Sequence, residues 1–491
     1  MAALAALAGG AFALRPEGYA VNAPLRQLLL GRGEAVDAEE VGSRIRVPGG
    51  FELGIWADGL PGARFLRFTP TGDLLLSQPR SRRVVLLEAD ADGDGRSDGR
   101  RVLVDGLDRP HGLDIHDGWL YVGETGAVVR VAFDAAARTV AGEVETVVPD
   151  LPPGGNHWTR TVRFGPDGRL YVTVGSDCNA CIEEDPRRAA MLRYRADGSG
   201  EEIYATGLRN AVGFDWRPGT DELYATDNGR DLLGDDFPPC ELNRVVEGGF
   251  YGWPFANGDK VPDPDLGAGH REEIEASLAP VHHFRPHNAP LGMTFVRGHA
   301  LPVDYHGAAI VALHGSWNRT RKDGYRVVSL HWGEDGIEER DLVSGFEHHG
   351  DVIGRPVDVA EGPDGALYVS DDFGGAVYRL AWVGAGARRG VAVAVAAPTG
   401  GPPLASLEPG ERRARAERGA ALYRAGECAG CHEEAAAAPG TVVKPLRELS
   451  ARHDLDELTA FLAAPTPPMP AVALPSEARR DLAVYLLSQH P

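Results

Sequence analysis

The sequence predicts a mainly β chain: a six-bladed β-propeller followed by a small all-α domain. Three observations predict it. A strand-and-turn pattern returns about every 50 residues, a Gly/Ala/Pro run without aromatic residues lies near residue 400, and two helical stretches follow that run.

The repeat is a turn with Asp or Gly, then Leu-Tyr-Val or a close variant, then small polar residues. It stands as GDLLLSQ around Leu74, DGWLYVGE around Leu120, PDGRLYVTVG around Leu170, TDELYATDNG around Leu223, GAAIVALHG around Ile310 and PDGALYVSDD around Leu367. The spacings are 46, 50, 53, 87 and 57 residues. Strand signals at this period mark a propeller, and six copies give six blades; a two-sheet sandwich lacks the internal repeat. The propeller is assigned to residues 41–383. Its long fourth interval holds a Pro- and His-rich insertion, 254–290, expected as a loop over the axial mouth.

Bulk properties fit this division. The chain has 491 residues, 43% of them hydrophobic, with 63 Gly and 36 Pro. That length exceeds one ordinary domain, and the Gly and Pro sit in turns between apolar runs. A net charge of −21 argues against nucleic acid and anionic membrane surfaces as partners. Residues 1–40 are an N-terminal extension that opens on the apolar MAALAALAGGAFAL. This reads as the core of an export signal, with Ala11-Phe12-Ala13 as a cleavage site, or as an anchor remnant. The expected location is therefore periplasmic or otherwise exported, with membrane association through the N-terminus as the alternative.

Residues 384–410 read as a linker stiffened by proline. In 411–491, Cys428-Ala429-Gly430-Cys431-His432 is the pattern of c-type haem attachment. The two thiols are suited to the haem vinyl groups and His432 to the iron. The stretches 411–425 and 476–488 read as helices, Ser476 capping the second, with Leu422 and Tyr423 facing Leu482, Tyr485 and Leu486. Met469, in Pro467-Pro468-Met469-Pro470, is the expected sixth iron ligand, and His453 competes with it. Crossed helices around such a motif resemble the class I cytochrome c domain.

The propeller loops carry the remaining chemistry. Asn156-His157-Trp158-Thr159-Arg160 precedes the third repeat and Gly207-Leu208-Arg209-Asn210 the fourth. Asp227 to Arg230, Asp235, Asp236 and Glu241 follow the fourth repeat. His287-Asn288 precedes the fifth, and Ser316-Trp317-Asn318-Arg319 follows it. Blade geometry brings such loops to one funnel. DADGDGRSD at 90–98 starts like a Ca²⁺ loop but has Arg101 where an EF-hand needs Glu, so an ion site and a polar turn both stand. In an exported protein, Cys178-Asn179-Ala180-Cys181 reads as a local disulfide rather than a zinc or dithiol site, which leaves Cys240 over.

With these motifs in view, residues 47–383 resemble the PQQ-dependent (pyrroloquinoline quinone) sugar dehydrogenases of the soluble glucose and sorbosone branch. GNHWTRTVRFGPDGRLYVTVGSDCNACIEEDPRRA, GLRNAVGFDW, DNGRDLLGDDFPPCELNRVVEGGFYGWP and HNAPLGMTF carry the likeness. The resemblance implies His157 as general base and Arg209, Asn210 and Arg319 as contacts of the quinone. His287 and Trp317 would line the pocket. It implies Ca²⁺ on the carbonyls of Gly229 and Arg230, where the glucose enzymes have Gly-Pro. Asp235, Asp236 and Glu241 would hold that ion's loop or a second Ca²⁺. The implied activity is oxidation of a sugar, aldose or polyol by hydride transfer to PQQ. Haem c would then relay electrons to an acceptor protein or a quinone pool. The rivals are a Ca²⁺-dependent lactone hydrolase and a haem-bearing binding module with an inactive propeller.

Overall fold

The computed structural model describes residues 35–384. Beyond them it describes 404, 407–426, 428–433, 436, 446, 449, 455–463, 469 and 474–489. The chain divides into two compact units, 1–394 and 395–491. The expected export segment and His453 lie outside the described residues.

The first unit is a six-bladed propeller. Six sheets, antiparallel except where Gly249–Phe250 adds a parallel fifth strand to the third blade, surround an axis lined by their innermost strands: Leu66–Phe68, Leu113–His116, Val162–Phe164, Ala211–Trp216, Pro290–Phe295 and Pro356–Glu361. Each sequence repeat is the second strand of its blade: Leu74–Gln78, Trp119–Glu124, Leu170–Val174, Leu223–Asp227, Ala309–Leu313 and Leu367–Asp371. These strands are buried along almost their whole length, which is why they read as apolar runs rather than as alternation. The sixth blade takes its outermost strand, Phe51–Ala57, from the start of the chain. It pairs with Ala376–Trp382 from Phe51 opposite Trp382 to Ala57 opposite Val377, and this closes the ring.

One detail differs from the sequence reading, and the 90–98 loop fits both alternatives left open for it. The 254–290 insertion contains the fourth strand of blade 4, His282–Phe284, which pairs with the third, Cys240–Val245. Its Asp263 and Asp265 pair with Arg230, so it packs beside that loop rather than over the axial mouth. The 90–98 loop lies between the third and fourth strands of blade 1. Asp90, Asp92, Asp94 and Asp98 accept hydrogen bonds there from backbone N–H groups of the same loop. Cys178 and Cys181 form the expected disulfide, and Cys240 is a buried thiol.

The second unit is helical. Pro409–Ala425 packs against Ser476–Gln489. The core holds Tyr423, Leu482, Leu486 and Leu487, with Tyr423 and Tyr485 rings 5.5 Å apart. Leu404 joins this core, so the last residues of the 384–410 linker belong to the helical unit. Asp481, buried, binds Arg415 and Arg418 across the helix crossing. Gly419 lets the helices touch: a Cβ there would lie 2.1 Å from the Asp481 carbonyl oxygen and 2.6 Å from Tyr485 Cβ. Cys428, Cys431 and His432 share one helical turn, and Met469 packs on the same cluster as Cys428.

Gly419→Val forces the crossing apart at a cost of about 1–3 kcal/mol. In calorimetry the midpoint of the helical unit is expected to fall by at least about 5 °C, with the propeller transition unmoved.

Candidate functional site

Two sets of segments meet at one end of the propeller axis. One set lies just before the innermost strands and supplies Arg64, His111, His157, Arg209, Asn210 and Arg355. The other follows the second strands and supplies Arg80, Ser176, Asn228, His314 and Asp372. Register shifts between Ala211 and Phe214, Pro290 and Met293, and Pro356 and Val359 bend three inner strands just inside this end. Bulges at such positions re-aim neighbouring side chains.

Between these segments lies a cavity of about 420 Å³, within the range of small-molecule sites. Its walls include Arg64, Arg80, Asn156, His157, Trp158, Asn210, His314, Trp317 and Asp372. Val212 and Leu291 join Phe65 and Val357 in a buried apolar cluster that floors it. Trp317 is 37% exposed at the rim. Arg109 stacks on Trp158 with its guanidinium carbon 4.1 Å from the ring centre.

His157 Nδ1 lies 2.9 Å from both the Ser176 carbonyl oxygen and Ser176 Oγ. Ser176 Oγ donates its own proton to the Cys178 carbonyl. Both neighbours of Nδ1 therefore accept, so Nδ1 carries the proton and Nε2 keeps a lone pair. Burial, then the charge of Arg209, pushes the imidazole down to about 3, although the Ser176 bond acts the other way. It is thus a neutral base, far below the near-neutral value an exposed imidazole would have. Gly175 makes room for it: a Cβ there would sit 2.5 Å from His157 Cβ and 2.8 Å from Asn210 Oδ1.

The opposite wall is an ionic cluster. His314 Nε2 donates to Asp372 (2.9 Å), Arg64 binds the same carboxylate (2.9 Å), and Arg355 donates to His314 Nδ1 (3.0 Å). Burial pushes Asp372 up, but His314, Arg64 and Arg355 outweigh it and hold the carboxyl well below its ordinary range. Burial and Arg355 push His314 down to about 4, so it too is neutral. Asp372 is the sole acid among the cavity's lining residues, so the cavity is cationic within an acidic chain.

The sequence-predicted residues divide. His157, Asn210 and Trp317 line the cavity. Arg209, 4% exposed, lies behind it. Its donors go to the Asn179 carbonyl (2.9 Å) and side chain (2.8 Å), the Asn228 and Gly229 carbonyls (3.1 and 2.9 Å) and Asp231 (2.9 Å). Arg319 binds the carbonyls of Asp235 and Pro286 and pairs with Asp236. Asp235 also accepts from Thr320 N, so both acids hold the Arg319 loop. His287 is buried with Nε2 2.7 Å from the Gly234 carbonyl. Glu241 lies apart from Asp235 and Asp236. It faces Asp227 beside a void of about 20 Å³ that Arg209, Gly229 and Arg230 also line. Burial drives the Glu241 carboxyl up to about 7, and burial with Glu241 raises Asp227. Paired raised carboxylates fit a cation, and the void exceeds the volume of one water-sized probe. Arg64, Arg80, His314 and Asp372 escape motif reading. Their signal is positional, since His314 and Asp372 stand at the ends of the fifth and sixth repeats and Arg80 two residues beyond the first.

The cavity fits a flat polyanion. Asn210 Oδ1 is buried without a hydrogen-bond partner on its wall, arginines surround it and two tryptophans flank it. In the helical unit, two thiols and a histidine on one turn fit covalent haem.

Comparisons agree with both fits. The sequence profile of the glucose/sorbosone dehydrogenases matches residues 121–379, and that of cbb3-type cytochrome c oxidase subunit III matches 414–486. An aldose sugar dehydrogenase of Escherichia coli is 26% identical over 274 residues, 51% of this chain and 67% of its own. The holo PQQ domain of a Coprinopsis cinerea pyranose dehydrogenase superposes with a TM-score of 0.60 at 22% identity, covering 69% of this chain and 97% of that one. A calcium structure of a Trichoderma reesei carbohydrate-active enzyme of family AA12 gives a TM-score of 0.62 at 21% identity, over 70% and 98%.

Because burial and Arg209 depress His157, its imidazole should remain neutral on acidification to about pH 4. In an NMR titration of ¹⁵N-histidine protein, a His157 midpoint near 6.5 would contradict the burial argument.

Proposed function

Since the chain belongs to the glucose/sorbosone dehydrogenase family and carries a cytochrome c domain, we propose that it is a quinohaemoprotein. It oxidises a sugar, aldose or polyol with PQQ and Ca²⁺ and passes the electrons through haem c to an external protein or quinone acceptor. The observation that carries this reading is His157 with Nδ1 tied to Ser176 and Nε2 left for a cavity rimmed by arginine and tryptophan. Bound PQQ supplies a two-electron acceptor at that site. His157 Nε2 takes the proton of the substrate hydroxyl, and Ser176 keeps the ring in the tautomer that does so. Arg64 and Arg80 offset carboxylates, Asn210 Oδ1 meets a donor on the occupant, and Trp158 and Trp317 offer flat faces to a sugar ring. The Gly229 and Arg230 carbonyls would hold Ca²⁺, with the Asp227–Glu241 pair as a second seat. Cys428 and Cys431 would hold the haem, and His432 and Met469 would ligate its iron. Disulfide and c-type chemistry both suit an exported, periplasmic protein.

A lactone hydrolase has no use for a one-electron carrier, and an inactive binding module has no use for an oriented base. Protein loaded with PQQ and Ca²⁺ should show haem bands reduced on adding sugar, and should lose this response after chelation. His157→Ala should retain PQQ and lose about two to four orders of magnitude in turnover. A loss of only a few-fold would reassign the base.

The relay has its own test. Protein ending at Pro403 lacks the haem unit and should still reduce a small dye at the full-length rate. With a cytochrome acceptor it should fail; equal rates there would leave the haem without a role.

A further inference from the structure

We propose that the disulfide-closed loop 176–181 is the positioning element of the site, fixing both the base and the loop assigned to calcium. This rests on the dehydrogenase reading only for what the positioned groups do.

The loop touches the site from both ends. At its start, the Ser176 carbonyl and Oγ receive His157 Nδ1–H, and Ser176 Oγ is turned toward His157 by donating to the carbonyl of Cys178, a half-cystine. Inside it, Asn179 joins three elements. Its carbonyl accepts from Arg209 Nε at 2.9 Å and from Trp253 Nε1 at 3.4 Å. Its side-chain oxygen accepts from Arg209 Nη2 and from Asp231 N, both at 2.8 Å, and its amide donates to the Asp231 carbonyl at 3.0 Å. Arg209 in turn holds the carbonyl of Gly229.

A short irregular loop has no ladder of its own to fix such bonds. The Cys178–Cys181 bond closes it to a separation of three residues, which removes most of the conformations that would misplace Ser176 and Asn179. Both half-cystines are only partly buried, so a soluble reductant reaches them. The rest of the propeller does not depend on the loop, because ring closure lies in blade 6.

The test uses the full-length protein loaded with PQQ and Ca²⁺. Samples are wild type, wild type reduced with dithiothreitol and then reoxidised, Cys178→Ser/Cys181→Ser, Asn179→Ala and Asn179→Asp. Opening the loop should lower kcat by about 10- to 100-fold, with KM for the sugar within about threefold, and reoxidation should restore it. Asn179→Asp keeps the acceptors and should retain more activity than Asn179→Ala. In parallel, ¹⁵N-histidine spectra of cofactor-free protein, with His157 assigned by its absence in His157→Gln, should show the Nδ1–H tautomer in wild type. After opening they should show a tautomer mixture. Unchanged kcat with an unchanged tautomer overturns the proposal. So does loss of the propeller's unfolding transition in the reduced wild type, which would make the loop a folding element. If wild type turns over no sugar, the dehydrogenase reading fails, while the histidine spectra still decide this one.

Discussion

The ring must close, and it must close around an axis that carries charge. Three aspartates on inner strands show how. Asp114 in blade 2 accepts from Phe164 N in blade 3 (2.7 Å), Asp215 in blade 4 from Phe295 N in blade 5 (2.9 Å), and Asp358 in blade 6 from Leu66 N in blade 1 (2.9 Å). Hydroxyls add to this: Thr161 to the Val212 carbonyl spans the joint of blades 3 and 4, while Thr226 to the Leu291 carbonyl and Ser370 to the Arg64 carbonyl reinforce the joints of Asp215 and Asp358. Inner edges of neighbouring blades splay apart with the twist of each sheet, so their N–H and C=O groups cannot form a continuous ladder. A buried group left unpaired costs about 1–3 kcal/mol, and these side chains meet that need at blade joints. The cavity depends on the same joints, since Arg64, Asn210 and Val212 stand at or beside them.

The axis has two ends with different electrostatics. Away from the cavity, Arg163 and Arg297 pair with Asp215, and Arg67 pairs with Asp114. At the cavity end Asp372 alone faces Arg64 and Arg355, and Arg80 and Arg109 add to the same side. Arg160 is buried behind His157 with only carbonyl partners, and burial together with Arg188 and Arg109 pushes it down to about 9. An apolar floor keeps the two ends apart. The first end is structural, and the excess of arginine over carboxylate at the other end suits it to an anion.

Much of this was legible in the chain. The six repeats mark six second strands because those strands are buried on both faces and cannot vary their apolar pattern. The haem-attachment motif from Cys428 to His432 was readable because its spacing alone carries the pattern, and the cytochrome profile over 414–486 agrees with the domain it marks. His157 and Asn210 were readable by likeness, and the structure puts both on the cavity. Arg209 and Arg319 read as cofactor clamps because an arginine fork in a loop suits a carboxylate and gives no sign of where its five donors go. Here they go to carbonyls and carboxylates of the protein. Arg64 and Asp372 lie 308 residues apart and meet only because the ring closes. No local pattern shows such a pair. The strand 51–57 was invisible as part of blade 6 for the same reason.

The low basicity of His157 is the point where these features act on one another. Burial weakens the base most, and after it the charges of Arg209, Arg160 and Arg188, which stand outside the cavity lining, while Arg64 and Arg80 line the cavity itself. Two opposite unit charges about 6 Å apart at an effective dielectric near 20 attract by about 3 kcal/mol, or about two pKa units. An anionic occupant therefore restores to the imidazole much of what the arginines remove. Base strength and local charge are thus linked at this site, and the link serves proton transfer only while Ser176 holds Nδ1 and leaves Nε2 free to accept.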